Sequence, residues 1–416
     1  MTESYYPLRS LREGNWFKLI CGASFQDLPA VRNLTLAYTL AGADCIDVAA
    51  DPAVIAAAKD ALQIAGELGG EAQARGFGFR SRPWLMVSLN DGEDPHFRKA
   101  EFNPDVCPVD CPRPCEKICP AQAIVFQNAS EGFSGVVDKR CYGCGRCLPV
   151  CPSQLIYTRS YVSAPETIAE LILQDGVDAL EIHTKVGHFS DFKRLWEAIA
   201  PWGDRLKLLA ISCPDGEGLI DYLWALYKLI APLPCALVWQ TDGRPMSGDI
   251  GTGTTRAAVK LGQKVLAAGL PGYVQLAGGT NNHTVAKLQA TELLNKGGIG
   301  NWELGDAGLR RSPPRKEAHP QGIGNWESFP TPYSLLPTPH ALPYVSGIAY
   351  GSYARVLLSP ILDELENFNG KKINPNLAPR QSLSPGRLEE LPGLLWQAVA
   401  SAHSLVSQLK SCKNLP

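Results

Sequence analysis

Residues 107–120 read CPVDCPRPCEKICP, and residues 139–152 read KRCYGCGRCLPVCP. These two stretches hold eight of the 13 cysteines in a chain of 416 residues. The first residues of the chain contain no apolar core of the signal-peptide type, so an oxidising compartment is not expected. In a long chain of this kind, closely spaced cysteines favour a metal site over disulfide bonds.

The second stretch follows the pattern C-x2-C-x2-C-x3-C-P, which is typical of bacterial iron–sulfur ferredoxins. Three thiolates separated by two residues each can bind one side of a cubane cluster from a tight loop. Gly143 and Gly145 allow the backbone to turn closely around the sulfurs. The first stretch also ends in C-x3-C-P, but each of its two earlier gaps carries three residues instead of two.

Together the two stretches resemble a two-cluster ferredoxin module, and this resemblance implies two [4Fe–4S] clusters that exchange their fourth ligands. One cluster would be bound by Cys107, Cys111, Cys115 and Cys151. The other would be bound by Cys141, Cys144, Cys147 and Cys119. A cluster without Cys107, where the spacing is wider, would lose an iron and become [3Fe–4S]. Two zinc centres with four thiolates each are the alternative.

Outside this region, eight short apolar runs alternate with helical patterns. The runs are 17–21, 45–49, 84–89, 179–183, 206–211, 236–240, 272–276 and 344–348. Near-continuous apolar strands separated by helices indicate a parallel sheet. Eight of them predict an α/β fold, a (β/α)8 TIM-like barrel with the ferredoxin-like module inserted after the third strand. An open doubly wound sheet is the alternative.

The pattern predicts five segments along the chain. They are the first part of the barrel (1–100), the iron–sulfur module (101–160), the barrel continued (161–294), a Gly/Pro-rich insertion (295–343), and the last barrel strand with carboxyl-terminal helices (344–416). The insertion contains GIGNWE twice and is predicted to be disordered. Residues 392–409 predict one amphipathic helix, for which packing on the barrel is favoured over docking of a partner.

Candidate ligand-binding residues follow several predicted strands. Gly-rich turns after the seventh and eighth strands are the usual phosphate site of such barrels, which suggests FMN. The residues of this candidate site are Gly278, Gly279, Gly351 and Ser352, with Lys185 facing the flavin ring. The alternative is that these glycines only make tight turns. His183 is either an acid–base residue or a structural histidine, and Cys21, Cys45, Cys213 and Cys235 are predicted to be buried in the core.

Residues 11–62, which begin LREGNWFKLICGASF, and residues 82–104, RPWLMVSLNDGEDPHFRKAEFNP, precede the first cysteine stretch. With that stretch they resemble the light-dependent period family of cyanobacteria, and the resemblance extends over nearly the whole chain. It implies an iron–sulfur protein that passes redox state, and thereby light input, to the circadian clock. Its implied partners are circadian clock proteins and clock-associated histidine kinases.

The formal net charge of −2 and the lack of a basic run argue against nucleic-acid binding. The most apolar window, residues 219–239, is interrupted by charges and prolines, so no membrane span is expected and the protein should be soluble and cytoplasmic. Two functions remain: a non-enzymatic redox sensor, and a flavin-dependent iron–sulfur oxidoreductase with its active site on the barrel rim. The family resemblance favours the sensor.

Overall fold

Eight strands pair in parallel and close into a barrel. The computed structural model describes residues 6–21, 28–92, 98–119, 122–126, 134–137, 141, 147–160, 176–243, 251, 253–295, 342–371 and 386–410. The strands in these ranges are β1 Trp16–Ile20, β2 Cys45–Ala49, β3 Trp84–Asn90, β4 Arg98–Glu101, β5 Ile124–Val125, β6 Gly135–Val136, β7 Tyr157–Ser160, β8 Ala179–His183, β9 Leu208–Pro214, β10 Ala236–Asp242, β11 Tyr273–Ala277 and β12 Gly347–Tyr350. The barrel order β1-β2-β3-β8-β9-β10-β11-β12, closed by pairing of β12 with β1, confirms the predicted (β/α)8 fold.

Helices connect most of the barrel strands. The described α-helices are α1 Tyr6–Glu13, α2 Leu28–Ala41, α3 Pro52–Ala74, α4 Pro114–Ile118, α5 Cys147–Val150, α6 Phe189–Ile199, α7 Leu219–Ile230, α8 Thr255–Ala267, α9 Thr284–Ala290, α10 Ser352–Lys371 and α11 Pro392–Lys410. Asp51 caps α3, because its Oδ1 accepts a hydrogen bond from the Ala53 N–H at 2.8 Å. Residues 161–175 and nearly all of the Gly/Pro-rich insertion lie outside the described residues.

The cysteine-rich module lies between β3 and β8, as the sequence predicts for an insertion after the third barrel strand. Its two ends pair as an antiparallel ribbon of β4 and β7, and β5 pairs with β6 as a short hairpin. The Lys99 ammonium on β4 lies 3.5 Å from the Asp51 carboxylate, and both side chains are buried. This ion pair joins the module to the barrel at the carboxyl end of β2.

The amino-terminal half of the barrel interior is apolar. Trp16, Trp84, Val238 and Tyr273 are buried there, and the two indole rings lie 5.7 Å apart in an edge-to-face arrangement. At Gly347, a Cβ atom would lie 2.5 Å from the Trp16 ring, so only glycine fits beside this indole. The carboxyl-terminal half of the interior is different, because it carries charged and amide side chains.

The last helix, α11, packs on the barrel as predicted. One face is buried against its neighbours through Leu395, Val399, Leu405 and further apolar residues. The Lys410 Nζ also lies 2.5 Å from the buried Asp44 Oδ2. In the part of the chain that the structure describes, no helix is long and apolar enough to cross a bilayer.

Candidate iron–sulfur centre and barrel mouth

Four cysteines from both stretches line a single pocket in the module. They are Cys107, Cys111, Cys115 and Cys151, and the aromatic rings of Phe102 and Phe126 form part of the wall. Burial raises the pKa of the Cys107 thiol, and the neighbouring Cys111 thiol adds to this effect. The structure thus brings together the four residues predicted for one cluster, including Cys107 with its wider spacing.

The second predicted set is described in part. Cys141 and Cys147 are buried in the core of the module and Cys119 is half-buried beside them, whereas Cys144 lies outside the described residues. The Ala123 N–H donates a hydrogen bond to Cys119 Sγ at 3.2 Å, and the Ala100 N–H donates one to Cys141 Sγ at 3.4 Å. Backbone N–H groups directed at cysteine sulfurs are a feature that tunes iron–sulfur clusters.

The same kind of turn occurs once in each half of the module. The Gln122 N–H donates to the Cys119 carbonyl, and the Gln154 N–H donates to the Cys151 carbonyl, each at 3.1 Å. Both glutamines have a positive φ, 49° and 50° respectively. The signal is visible in the sequence as CPAQ and CPSQ, although ferredoxin spacing alone does not draw attention to it. The internal repetition of the module therefore extends beyond the cysteines.

The donor set suits an iron–sulfur cluster, since thiolates are its usual protein ligands. Within the described ranges, no three His, Cys, Asp or Glu side chains are grouped so as to hold a metal ion. The assignment of each cysteine to a cluster remains a prediction.

The glycines of the predicted phosphate site have structural roles. Gly278 and Gly279 adopt φ values of 63° and 99°, in the left-handed region that favours glycine. A Cβ atom at Gly279 would lie 2.9 Å from the Thr254 carbonyl oxygen, and the Thr254 hydroxyl donates to the Gly279 carbonyl at 2.7 Å. This turn is therefore packed closely against the loop before α8.

The remaining residues of the predicted flavin site lie on two sides of the barrel. Gly351 and Ser352 follow β12, next to the Gly278–Gly279 turn, and Ser352 Oγ accepts a hydrogen bond from Arg355 at 3.2 Å. Lys185 is exposed and follows β8, which lies opposite β12 in the order of barrel strands. The flavin site remains a prediction.

A buried ionic layer, which the sequence reasoning missed, crosses the middle of the barrel. Lys18 is fully buried; its Nζ lies 2.8 Å from Asp47 Oδ2, donates to Gln240 Oε1 at 2.9 Å, and pairs with Glu181. Burial alone would lower the pKa of Lys18, but Asp47 and Glu181 outweigh it and raise the pKa above its usual value. Each of these residues comes from a different strand.

His183 lies above this layer, toward the carboxyl ends of the strands. Its Nε2 lies 3.0 Å from Glu181 Oε1, and its side chain is 39% exposed. Burial would lower the pKa of His183, but the Glu181 carboxylate outweighs it and raises the pKa to about 9. His183 therefore carries a proton at neutral pH.

Asp242 lies close to His183 on the same side of the barrel. Ser212, on the strand between them, donates a hydrogen bond to the Asp242 carboxylate. Burial raises the pKa of Asp242, and the nearby His183 opposes that rise. His183 and Asp242 thus both face the barrel mouth, here defined as the opening at the carboxyl ends of the strands.

The four cysteines predicted to be core residues are all buried. Cys21 and Cys45 are fully buried, and Cys213 and Cys235 are nearly so. Burial raises the pKa of Cys21, Cys213 and Cys235 to about 12. These thiols therefore stay protonated at neutral pH, and their prediction as core residues is confirmed.

The Glu181–His183 pair predicts how stability depends on pH. Since the pKa of His183 rises from 6.5 to about 9 on folding, its contribution is complete below pH 6.5 and is lost as the pH rises toward 9. Since the pKa of Glu181 falls from 4.5 to about 2, its contribution is complete above pH 4.5 and is lost as the pH falls toward 2. Urea midpoints measured across this range should fall on the alkaline side in the wild type and fall less in His183→Gln. Equal alkaline slopes in both proteins would contradict the assignment.

Two family models match the chain. Residues 107–162 match the LdpA Fe-S cluster-binding domain, and residues 171–408 match the Light dependent period A C-terminal domain. A relative named Light dependent period A, from Synechococcus elongatus, is 53% identical over 290 residues, which cover 70% of this chain and 78% of the relative.

Solved structures are more distant. A tryptophan synthase from M. tuberculosis aligns over 100% of both chains with 11% identity and a TM-score of 0.36. A protein from Aquifex aeolicus VF5 aligns over 100% of both chains with 8% identity and a TM-score of 0.28. The barrel fold is therefore established by the pairing of its eight strands. Because the C-terminal domain model matches more than half of the 416 residues and the Synechococcus relative is 53% identical, the chain belongs to the Light dependent period A family of iron–sulfur proteins.

Proposed function

We propose that this protein is an iron–sulfur redox sensor that relays cellular redox and light state to the circadian clock through protein–protein contacts. The observation that carries the proposal is the single pocket that is lined by Cys107, Cys111, Cys115 and Cys151. Membership of the Light dependent period A family supports the connection to the clock. The proposed partners are circadian clock proteins and clock-associated histidine kinases.

In this proposal the pocket cysteines bind one [4Fe–4S] cluster, and Cys119, Cys141, Cys144 and Cys147 bind the other. When bound, such a cluster would supply a one-electron change of charge. Charged residues around the site would influence how strongly that change of charge affects the surrounding protein. The Arg113 guanidinium lies 4.3 Å from the centre of the Phe126 ring in the pocket wall, so a positive charge is held beside the proposed cluster site.

The loop that carries the proposed ligands is also an exposed apolar surface. Val106, immediately before Cys107, is 56% exposed, and Val109, two residues after Cys107, is 100% exposed. Asp105 and Asp110 flank the two valines and are also exposed. A partner that covers this loop would contact the backbone between Cys107 and Cys111, so a change of charge at those thiolates would alter its affinity.

This proposal predicts redox-dependent partner binding. The dissociation constant for a purified clock-associated histidine kinase should differ by about fivefold or more between the oxidised and dithionite-reduced forms of the full chain. Val109→Lys should weaken binding in both states, because it places a charge in the apolar contact. Val356→Lys is the matched control, since Val356 is 52% exposed on α10. Equal affinities of the two redox forms for every clock protein tested would remove the basis of the sensor.

A flavin-dependent iron–sulfur oxidoreductase is the second candidate. The structure offers a proton donor, His183, at the barrel mouth, where such an enzyme needs an acid. An absorption spectrum of anaerobically purified protein separates the two functions. We expect a broad band that bleaches on reduction, as for clusters alone, whereas resolved flavin peaks on that band would favour the enzyme.

A further inference from the structure

The carboxyl-terminal half of the barrel interior is polar although it lies deep in the protein. Lys18, Asp47, Glu181, Gln240 and Gln275 are all buried, each on a different strand. Barrel interiors are usually filled with branched apolar side chains, as the amino-terminal half of this barrel is by large apolar residues. Replacing a buried ionic group by apolar residues often costs no stability, so folding alone does not require this layer.

The polar groups of the buried layer form hydrogen bonds with one another, and they fix the orientation of the His183 ring. Glu181 Oε1 accepts a hydrogen bond from Gln240 Nε2 at 2.7 Å and lies 3.0 Å from His183 Nε2. Its other oxygen pairs with Lys18. Gln275 Nε2 donates to Gln240 Oε1 at 2.6 Å, which sets the orientation of the Gln240 amide. With Nε2 directed at Glu181, His183 presents the rest of its partly exposed ring to the mouth.

Asp242 is held near His183 by the same network. Gln240 Nε2 lies 3.2 Å from Ser212 Oγ, which donates to Asp242. His183 and Asp242 lie on strands separated by one strand, so their backbones are about 10 Å apart. The His183 side chain is 39% exposed and the Asp242 side chain is partly exposed, so a small molecule at the mouth can reach both.

The charges at the mouth decide which ligand fits. An anion would meet the acceptor oxygens of Asp242, and a cation would meet the ring N–H of His183. A neutral molecule with a hydrogen-bond acceptor beside a donor satisfies both residues. We propose that the barrel mouth is a binding site for a small uncharged amide or ureide, whose carbonyl oxygen accepts a hydrogen bond from His183 and whose N–H donates to Asp242.

Four small probes of nearly the same shape test this site. Acetamide has both groups, acetone has the carbonyl but no N–H, acetate is the anion, and acetamidinium is the cation. In the full chain labelled with 15N-histidine, the ring signals of His183 are identified by their loss in His183→Gln. We expect acetamide to shift these signals in a saturable way. Acetone should bind more weakly than acetamide, by a factor of about ten or greater.

Variants and the charged probes complete the test. His283→Gln, which replaces an exposed histidine at the start of α9, should leave the acetamide response unchanged. Asp242→Asn should weaken acetamide binding while the His183 signal itself reports that the barrel is folded. Tighter binding of acetate or acetamidinium than of acetamide would overturn the ligand class. If none of the four probes shifts the His183 signals, the polar layer is structural and the site is refuted.

Discussion

Replacing Lys18 with Met should lower the free energy of unfolding by about 3–5 kcal/mol. Lys18 is fully buried and neutralises Asp47 and Glu181, which are buried with it. Without the ammonium, Glu181 keeps only the partly exposed His183 as a cationic neighbour, and Asp47 keeps the neutral Ser88 hydroxyl. Removing one partner of a buried ionic group is strongly destabilising, because the other charges lose their compensation.

Urea unfolding followed by far-UV circular dichroism measures this loss. Lys260→Met, on the exposed side of α8, is the matched control and should change stability by no more than about 0.5 kcal/mol. Combining Lys18→Met with Asp47→Asn and Glu181→Gln should recover much of the loss, since no uncompensated charge is then buried. A single Lys18→Met variant as stable as the Lys260→Met control would show that the layer is not ionic in solution.

The barrel itself was predictable from the sequence because its strands are nearly continuous apolar runs separated by helical patterns. The runs around Cys45–Ala49 and Ala179–His183 coincide with the observed strands β2 and β8. The last strand is displaced from its run, since β12 spans Gly347–Tyr350 whereas the run spans residues 344–348. Strand ends depend on hydrogen bonding to neighbouring strands, which a single apolar run does not contain.

The ionic layer was not predicted, although a signal for it exists. Lys18, Asp47 and Glu181 each interrupt an apolar strand, in FKLIC, CIDVA and ALEIH. One polar residue in such a run is ordinarily interpreted as exposed or incidental. Only the closed barrel and its register show that these residues point to the same interior level, because side chains alternate between the two faces of a strand.

The candidate flavin site, which remains a prediction, shows a different limit of sequence reasoning. Gly278 and Gly279 were correctly placed after a barrel strand, but their glycine identity follows from positive φ values and from the close contact with Thr254. Lys185 lies on the far side of the barrel order from Gly351. Sequence spacing places residues at the ends of strands; it does not say which strand ends face each other across the mouth.

Replacing Cys111 and Cys115 together with Ser should reduce the iron content of the anaerobically purified protein by about half. Both cysteines line the pocket with Cys107 and Cys151, so the pocket would keep only two thiols. A cubane cluster needs about four protein ligands, and two thiols do not retain it. The cluster proposed for Cys119, Cys141, Cys144 and Cys147 should remain and give its own electron paramagnetic resonance signal on reduction.

The matched control is the double variant Cys213→Ser and Cys235→Ser, because both of these thiols are buried in the barrel, away from the module. It should keep its full iron content. Cys151→Ser distinguishes exchanged from sequential ligand sets: if the ligands are exchanged between the two runs, it should perturb the same signal as the Cys111/Cys115 variant. Perturbation of the other cluster's signal would instead mean that each run binds its own cluster. Zinc in place of iron in the anaerobic wild-type protein would contradict both arrangements, and with them the redox sensor, because zinc has no redox chemistry.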